Sequence, residues 1–268
     1  MHKPLSAIAL AAGLVASGLT FVSSAQAQAL DATGLQAIDA AVNAVAPKMV
    51  NWRRDIHAHP ELSGQEVRTA KLVAEHLKKL GMEVQTGVGG TGVVGTLKGG
   101  LPGKVVALRA DMDALPVQER NDLPFKSTAR AQWRGNETPV SHACGHDTHV
   151  AMLLGAAQAL SSVRSELAGT VVFLFQPAEE LGPGPVPSGA KAMMEAKVLD
   201  NPKVDVVMGQ HISARAPGNT LAYRAGSFMA SGDVFNIKLQ GKGGHGSSPW
   251  TAKDPTLTAA EIVLALQG

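Results

Sequence analysis

Three runs, KVVALRAD (104–111), GTVVFLFQP (169–177) and KVDVVMGQH (203–211), each carry an apolar stretch with no apolar–polar alternation. A strand with one wet face alternates, whereas a strand covered on both faces does not. Such runs therefore demand a sheet with helices packed against it. The segments between them supply the helices. Leu35 to Ile56 has apolar residues at helical spacing and is ended by Pro60; Gln65 to Leu80 places Leu72, Leu77 and Leu80 on one side and stops at Gly81. Asp147 is placed to cap a further helix through VAMLLGAAQAL (150–160), and TGVVGTLKGG (91–100) reads as another strand. Strands separated by helices predict an α/β fold with a mostly parallel sheet and helices on both faces. The stretch LGPGPVPSGA (181–190) reads as a loop rather than a domain linker.

In open α/β sheets, sites form beyond the carboxyl ends of the strands. The first run leads into Asp111-Met112-Asp113, the second into Pro177-Ala178-Glu179-Glu180 and the third into His211. HACGHDTH (142–149) adds three histidines, an aspartate and the single cysteine of the chain. One cysteine makes no internal disulfide, so Cys144 is either buried and idle or held by something other than sulfur. Any one of these residues alone could be a solvated turn residue. Together they predict a metal site at one sheet edge, with Cys144 and His146 reaching it around Gly145. Thiolate, imidazole and carboxylate suit zinc, manganese, cobalt or nickel, whereas an all-oxygen set would suit magnesium or calcium. Adjacent Glu179 and Glu180 diverge, so one can ligate while the other moves protons. A divalent ion acidifies water, and the combination describes a hydrolase of amide or ester bonds.

The amino terminus reads as a signal peptide over residues 1–29. Lys3 precedes an apolar stretch from Leu5 to Val22, and Ala25-Gln26-Ala27 or Ala27-Gln28-Ala29 offers the small-x-small cleavage pattern. The expectation is an exported protein, periplasmic or secreted, with no membrane association after cleavage. A net charge of +2 over 268 residues gives no electrostatic case for a nucleic-acid partner.

The segments RRDIHAHPELSGQEVRTA, LRADMDALPV, HACGHDTH, FQPAEE, GQHI and GKGGHGSSP, in this order, resemble the di-metal amidohydrolases of the aminoacylase and carboxypeptidase superfamily. The nearest branch is that of hippurate, N-acyl-amino-acid and auxin-conjugate hydrolases. The resemblance implies that Cys144 bridges one or two divalent ions, with His146, Glu180 and His211 as further ligands. It makes Glu179 the general acid/base and Asp113 the residue that orients a ligand histidine. Asp111 stands where peptidase members have histidine, and His142 and His149 stay open between ligand support and ordinary helix-face histidines. The resemblance also implies a smaller satellite domain, with residues 30–224 catalytic and 225–268 opening the satellite through a strand over 232–241. In such domains a histidine, here His245, reaches the substrate, often across a homodimer. The chain ends at Gly268, and the resemblance places another histidine ligand and the last sheet elements beyond it. The implied substrate is a small N-acyl amino acid. A metallo-exopeptidase and a non-catalytic metal-binding remnant are the alternatives.

Overall fold

The computed structural model describes residues 32–180, 188–230 and 235–267. The signal-peptide expectation and most of the loop at 181–190 lie outside them. The described chain divides into two compact units, the first reaching to Ser213 and the second starting at Ala214.

In the first unit, helices α1 (Ala32–Ala58) and α2 (Val67–Lys79) precede strands β1 (Glu83–Val88), β2 (Gly92–Lys98) and β3 (Leu101–Asp111). A hairpin of β4 (Arg130–Trp133) and β5 (Asn136–Pro139) leads to helix α3 (His146–Ser162). Strand β6 (Ala168–Gln176), the short helix α4 (Gly189–Glu195) and strand β7 (Val206–Gly209) complete the unit. The main sheet runs in the order β1-β2-β6-β3-β7. The three expected apolar strands, β6, β3 and β7, are mutually parallel, while β1 and β2 add an antiparallel edge. The parallel strands thus open at one edge, where Asp111, Gln176 and Gly209 end them.

Helices cover both faces of the sheet over β2, β3 and β6, as continuous apolar strands require; β7 departs from the expectation of a buried strand, because it ends the sheet order beside β3 alone and Val206, Val207 and Met208 stay exposed. On one face Ile56 of α1, Val73 and Leu77 of α2, and Leu154 and Ala157 of α3 pack with Val93, Leu97, Phe173 and Phe175. On the other, Met193 of α4 packs with Val94, Ala107, Val172 and Leu174. Gly155 is what lets α1 and α3 meet: a Cβ there would lie 2.4 Å from the Met49 sulfur.

Asp147 does not cap α3. The cap position is Gly145 in the left-handed region (φ 92°), with no side-chain cap. Asp147 lies in the first turn, and its carboxylate is taken instead by Arg53 and His57, each at 2.8 Å. Long-range charge pairing has outcompeted the local bond.

The second unit holds a 3-10 turn at Pro249–Thr251 and helix α5 (Thr256–Ala265). The strand expected over 232–241 is not formed in its described part, 235–241. A strand exists only against a ladder partner, and the nearest pairing in this unit is the isolated bridge between Lys242 and Lys253.

Candidate metal centre

The turn that carries Cys144 and His146 depends on the residue between them. Gly145 combines its positive φ with close packing: a Cβ there would lie 2.5 Å from Cγ2 of Ile212. Glycine is the residue that tolerates both. His146 then points from the first turn of α3 towards the ends of β3 and β6, fully buried.

Within the first unit, six of the predicted residues come together. His146 Nδ1 donates to the backbone carbonyl of Asp113 at 2.8 Å, which leaves Nε2 with its lone pair available. That Nε2 lies 3.7 Å from Glu180 Oε1 and 3.9 Å from Glu179 Oε2. His211 likewise donates from Nδ1 to the Ile212 carbonyl at 2.6 Å, and its Nε2 lies 3.3 Å from Cys144 Sγ. Asp113 supports the cluster from behind: its Oδ2 accepts from Ser63 Oγ at 2.6 Å and from the Glu180 backbone N–H at 2.9 Å. His245 belongs to the second unit, where it is exposed and its Nδ1 accepts the Ser247 N–H at 3.2 Å.

The donor set fits a divalent ion. His146 Nε2 and Glu180 Oε1 are buried without a hydrogen-bond partner. Their 3.7 Å separation is too long for a hydrogen bond. A cation held at about 2.0–2.2 Å from each atom fits between them. Ligand atoms of Cys144, His146 and His211 lie within 4.8 Å of one another, as do those of His146, Glu179 and Glu180.

The local charges point the same way. Burial pushes the Cys144 thiol up, and Glu180, Glu179 and Asp111 add to it, to about 12. Burial also raises the Glu179 carboxyl, reinforced by the charges of Asp111 and Glu180. Burial would raise Asp111, but the bond from His149 and the charges of His146 and Arg109 outweigh it and hold the carboxyl down at about 2. A cluster of this kind gathers negative charge around a point where two imidazole lone pairs and a thiol converge. A cation relieves that repulsion and makes the thiolate accessible.

The sequence alone leaves the roles of Asp111 and His149 open. In the structure His149 is buried, donates from Nδ1 to Asp111 Oδ1 at 2.6 Å and accepts the Ile212 N–H at Nε2 at 2.9 Å. Both ring nitrogens are engaged, so His149 clamps the backbone beside His211. The signal was present in the spacing: His146 and His149, three apart, share one face of a helix. His142 is buried with neither ring nitrogen bonded, and burial lowers it to about 4.

Behind α3 a second polar group braces the turn. His57 contacts Asp147 Oδ2 through Nδ1 and Glu119 Oε1 through Nε2, both at 2.8 Å. The hydrogen bond to Asp147 raises its pKa, burial opposes this, and the bond to Glu119 raises it further. Its contribution to stability is therefore complete below the ordinary histidine value of 6.5 and fades as pH rises through the raised folded value. Asp147 and Glu119 are shifted down, so both remain charged at mildly acidic pH. We expect His57→Gln to cost about 2 kcal/mol near pH 6, with the gap in thermal midpoint narrowing towards pH 9. A gap that widens with pH would contradict this pairing.

Comparison with known proteins agrees with this architecture. Residues 107–266 match the model of peptidase family M20/M25/M40. The chain is 50% identical over 221 residues to thermostable carboxypeptidase 1 of Saccharolobus solfataricus, covering 82% of this chain and 53% of that protein. It is 44% identical over 226 residues to an N-acyl-L-amino acid amidohydrolase of Geobacillus stearothermophilus, covering 84% and 57%. Among solved structures it is similar to the YXEP protein of Bacillus subtilis, a dinuclear metal-binding peptidase of the M20 family, with a TM-score of 0.56, 41% identity and coverage of 65% of this chain and 45% of that one. The chain spans about half the length of the curated relatives it matches. With its parallel strands delivering carboxylates and an imidazole to one edge, where the turn into α3 adds a thiol and a second imidazole, the chain belongs to peptidase family M20/M25/M40.

Proposed function

We propose that the protein hydrolyses the amide bond of N-acyl amino acids, using one or two divalent ions held by Cys144, His146, Glu180 and His211. The observation that carries the reading is the split between neighbouring glutamates. Glu180 turns a buried, unpartnered oxygen towards His146, while Glu179 stands 41% exposed on the open side with its carboxyl raised. The same cleavage is named for the amidohydrolase relative. Bound there, a divalent ion supplies Lewis acidity to the scissile carbonyl and to water.

Glu179 takes the proton of the attacking water on its carboxylate and passes it to the departing amide nitrogen. Asp113 fixes His146 in the tautomer that presents Nε2. In the second unit, Nδ1 of His245 accepts a backbone N–H, which makes Nε2 the protonated nitrogen. That nitrogen donates to the oxyanion that forms as water attacks. Zinc, manganese, cobalt and nickel all suit the donor set. The leader directs export to the periplasm or the medium, and the full-length protein works as a homodimer.

The test is turnover by the full-length protein, loaded with manganese or zinc, on N-acetyl and N-benzoyl amino acids, N-blocked dipeptides and free-amine dipeptides. Removal of a carboxyl-terminal residue breaks the same kind of bond with a peptidyl acyl group, so the blocked dipeptides probe the width of the acyl pocket. We expect the simple N-acyl amino acids to be cleaved fastest, with activity lost on chelation and regained on adding metal. Cleavage of free-amine dipeptides alone, or activity indifferent to chelator, would contradict the proposal.

A further inference from the structure

Outside the ligand cluster, Glu66 is a completely buried carboxylate that has no part in the chemistry above and, unlike Asp147, no cationic partner among its hydrogen bonds. Glu66 immediately precedes α2 and has no solvent exposure. Its Oε1 accepts the Ala178 backbone N–H at 2.8 Å, and its Oε2 accepts the hydroxyl of Thr91. A single side chain thus ties together the start of α2, the turn between β1 and β2, and the residue just before Glu179. Burying a carboxylate is costly, and burial does raise this one; Thr91 and the backbone groups of Ala178, Gly64 and Glu66 itself pull it back.

What the carboxylate holds is an unusual piece of backbone. Ala178 adopts φ 47°, in the left-handed region that residues with a Cβ rarely occupy. It lies just beyond Gln176, the last residue of β6, so its conformation aims the two glutamates that follow. The other side of this residue is also confined: a Cβ on Gly189 would lie 2.8 Å from the Ala178 carbonyl oxygen. The N–H is held by Glu66, and the carbonyl is closely packed by Gly189.

We propose that Glu66 is a positioning residue for the Glu179–Glu180 pair: by holding the Ala178 N–H it keeps that residue left-handed, and so sets which glutamate turns to the ligand cluster and which faces the open side. The inference rests on the roles given to Glu179 and Glu180 above. The two oxygens of a carboxylate accept from Ala178 and Thr91 together, whereas a glutamine has one oxygen for the two donors.

The test is a double-mutant cycle between positions 66 and 178 in the full-length, metal-loaded protein. Glu66→Ala is expected to lower kcat by about 100-fold, the scale of a misplaced catalytic group, with a smaller change in KM. With cobalt as the bound ion, its visible spectrum should change, because Glu180 no longer sits as before. Adding Ala178→Gly should restore at least about tenfold of the loss, since glycine takes the left-handed region without help. If Glu66→Ala does not fold, the same cycle is run with Glu66→Gln, where a coupling of about threefold or more is expected. Additive losses in the measured cycle, or an unchanged cobalt spectrum together with wild-type kcat, would overturn the inference. Glu179→Gln is measured in parallel: full activity there removes the proton-transfer reading, while the cobalt spectra of the position-66 variants still decide whether Glu66 positions the pair.

Discussion

Replacing Glu179 by glutamine is expected to lower kcat by roughly 10²–10⁴ while leaving fold and bound metal in place. The substitution preserves size and one acceptor oxygen but removes the ability to take and return a proton. Position makes the loss specific. Glu179 Oε2 is within 3.9 Å of His146 Nε2, yet its side chain is 41% exposed, so it borders the cluster and remains reachable by water and substrate. Burial and the charges of Asp111 and Glu180 raise its carboxyl, which moves a base towards the pH at which it can also serve as an acid. Steady-state kinetics with elemental analysis of the same preparations check the result. A Glu179→Gln protein within tenfold of wild type would hand proton transfer to another group.

Cys144→Ala is expected to weaken divalent-ion binding by at least about 100-fold, because losing even a partner of a ligand typically costs about 10–100-fold. Serine should not rescue it, since a hydroxyl lacks the soft, ionisable sulfur. In the protein alone this thiol is pushed up to about 12 by burial and the surrounding carboxylates, so a thiolate there needs a cation beside it. Titration calorimetry with zinc on the wild type and on both variants measures the difference. Equal affinities would remove Cys144 from the ligand set.

The fold was legible where the sequence is apolar, β7 included although it is exposed, and illegible where the sequence is polar. β3 and β6 announce themselves because both faces are covered, which writes an unbroken hydrophobic run into each. β1, with the sequence EVQTGV, forms the outer antiparallel edge and is largely exposed, so no periodicity marks it. The β4–β5 hairpin is equally polar, and α4 is a single short segment behind a Pro/Gly-rich stretch. The site was legible because the strand-end rule is geometric: Asp113, Glu179, Glu180 and His211 each follow one of the parallel strands β3, β6 and β7. The supporting bonds were not. Asp111 to His149, Ser63 to Asp113 and Glu66 to Ala178 join residues 38, 50 and 112 positions apart, and no local pattern encodes such pairings. Asp147 shows the limit of local rules, since its capping preference yielded to Arg53 and His57, which lie over ninety residues away or close to it.

In the proposed function, a divalent centre is built from a thiolate and imidazoles at the edge of the parallel strands. X-ray absorption at the zinc edge of the full-length, zinc-loaded protein tests it most directly. A sulfur scatterer is expected at about 2.3 Å beside nitrogen and oxygen scatterers at about 2.0–2.2 Å, with the sulfur shell absent from Cys144→Ala. A spectrum with no sulfur shell in the wild type, or the same sulfur shell after the substitution, would contradict it.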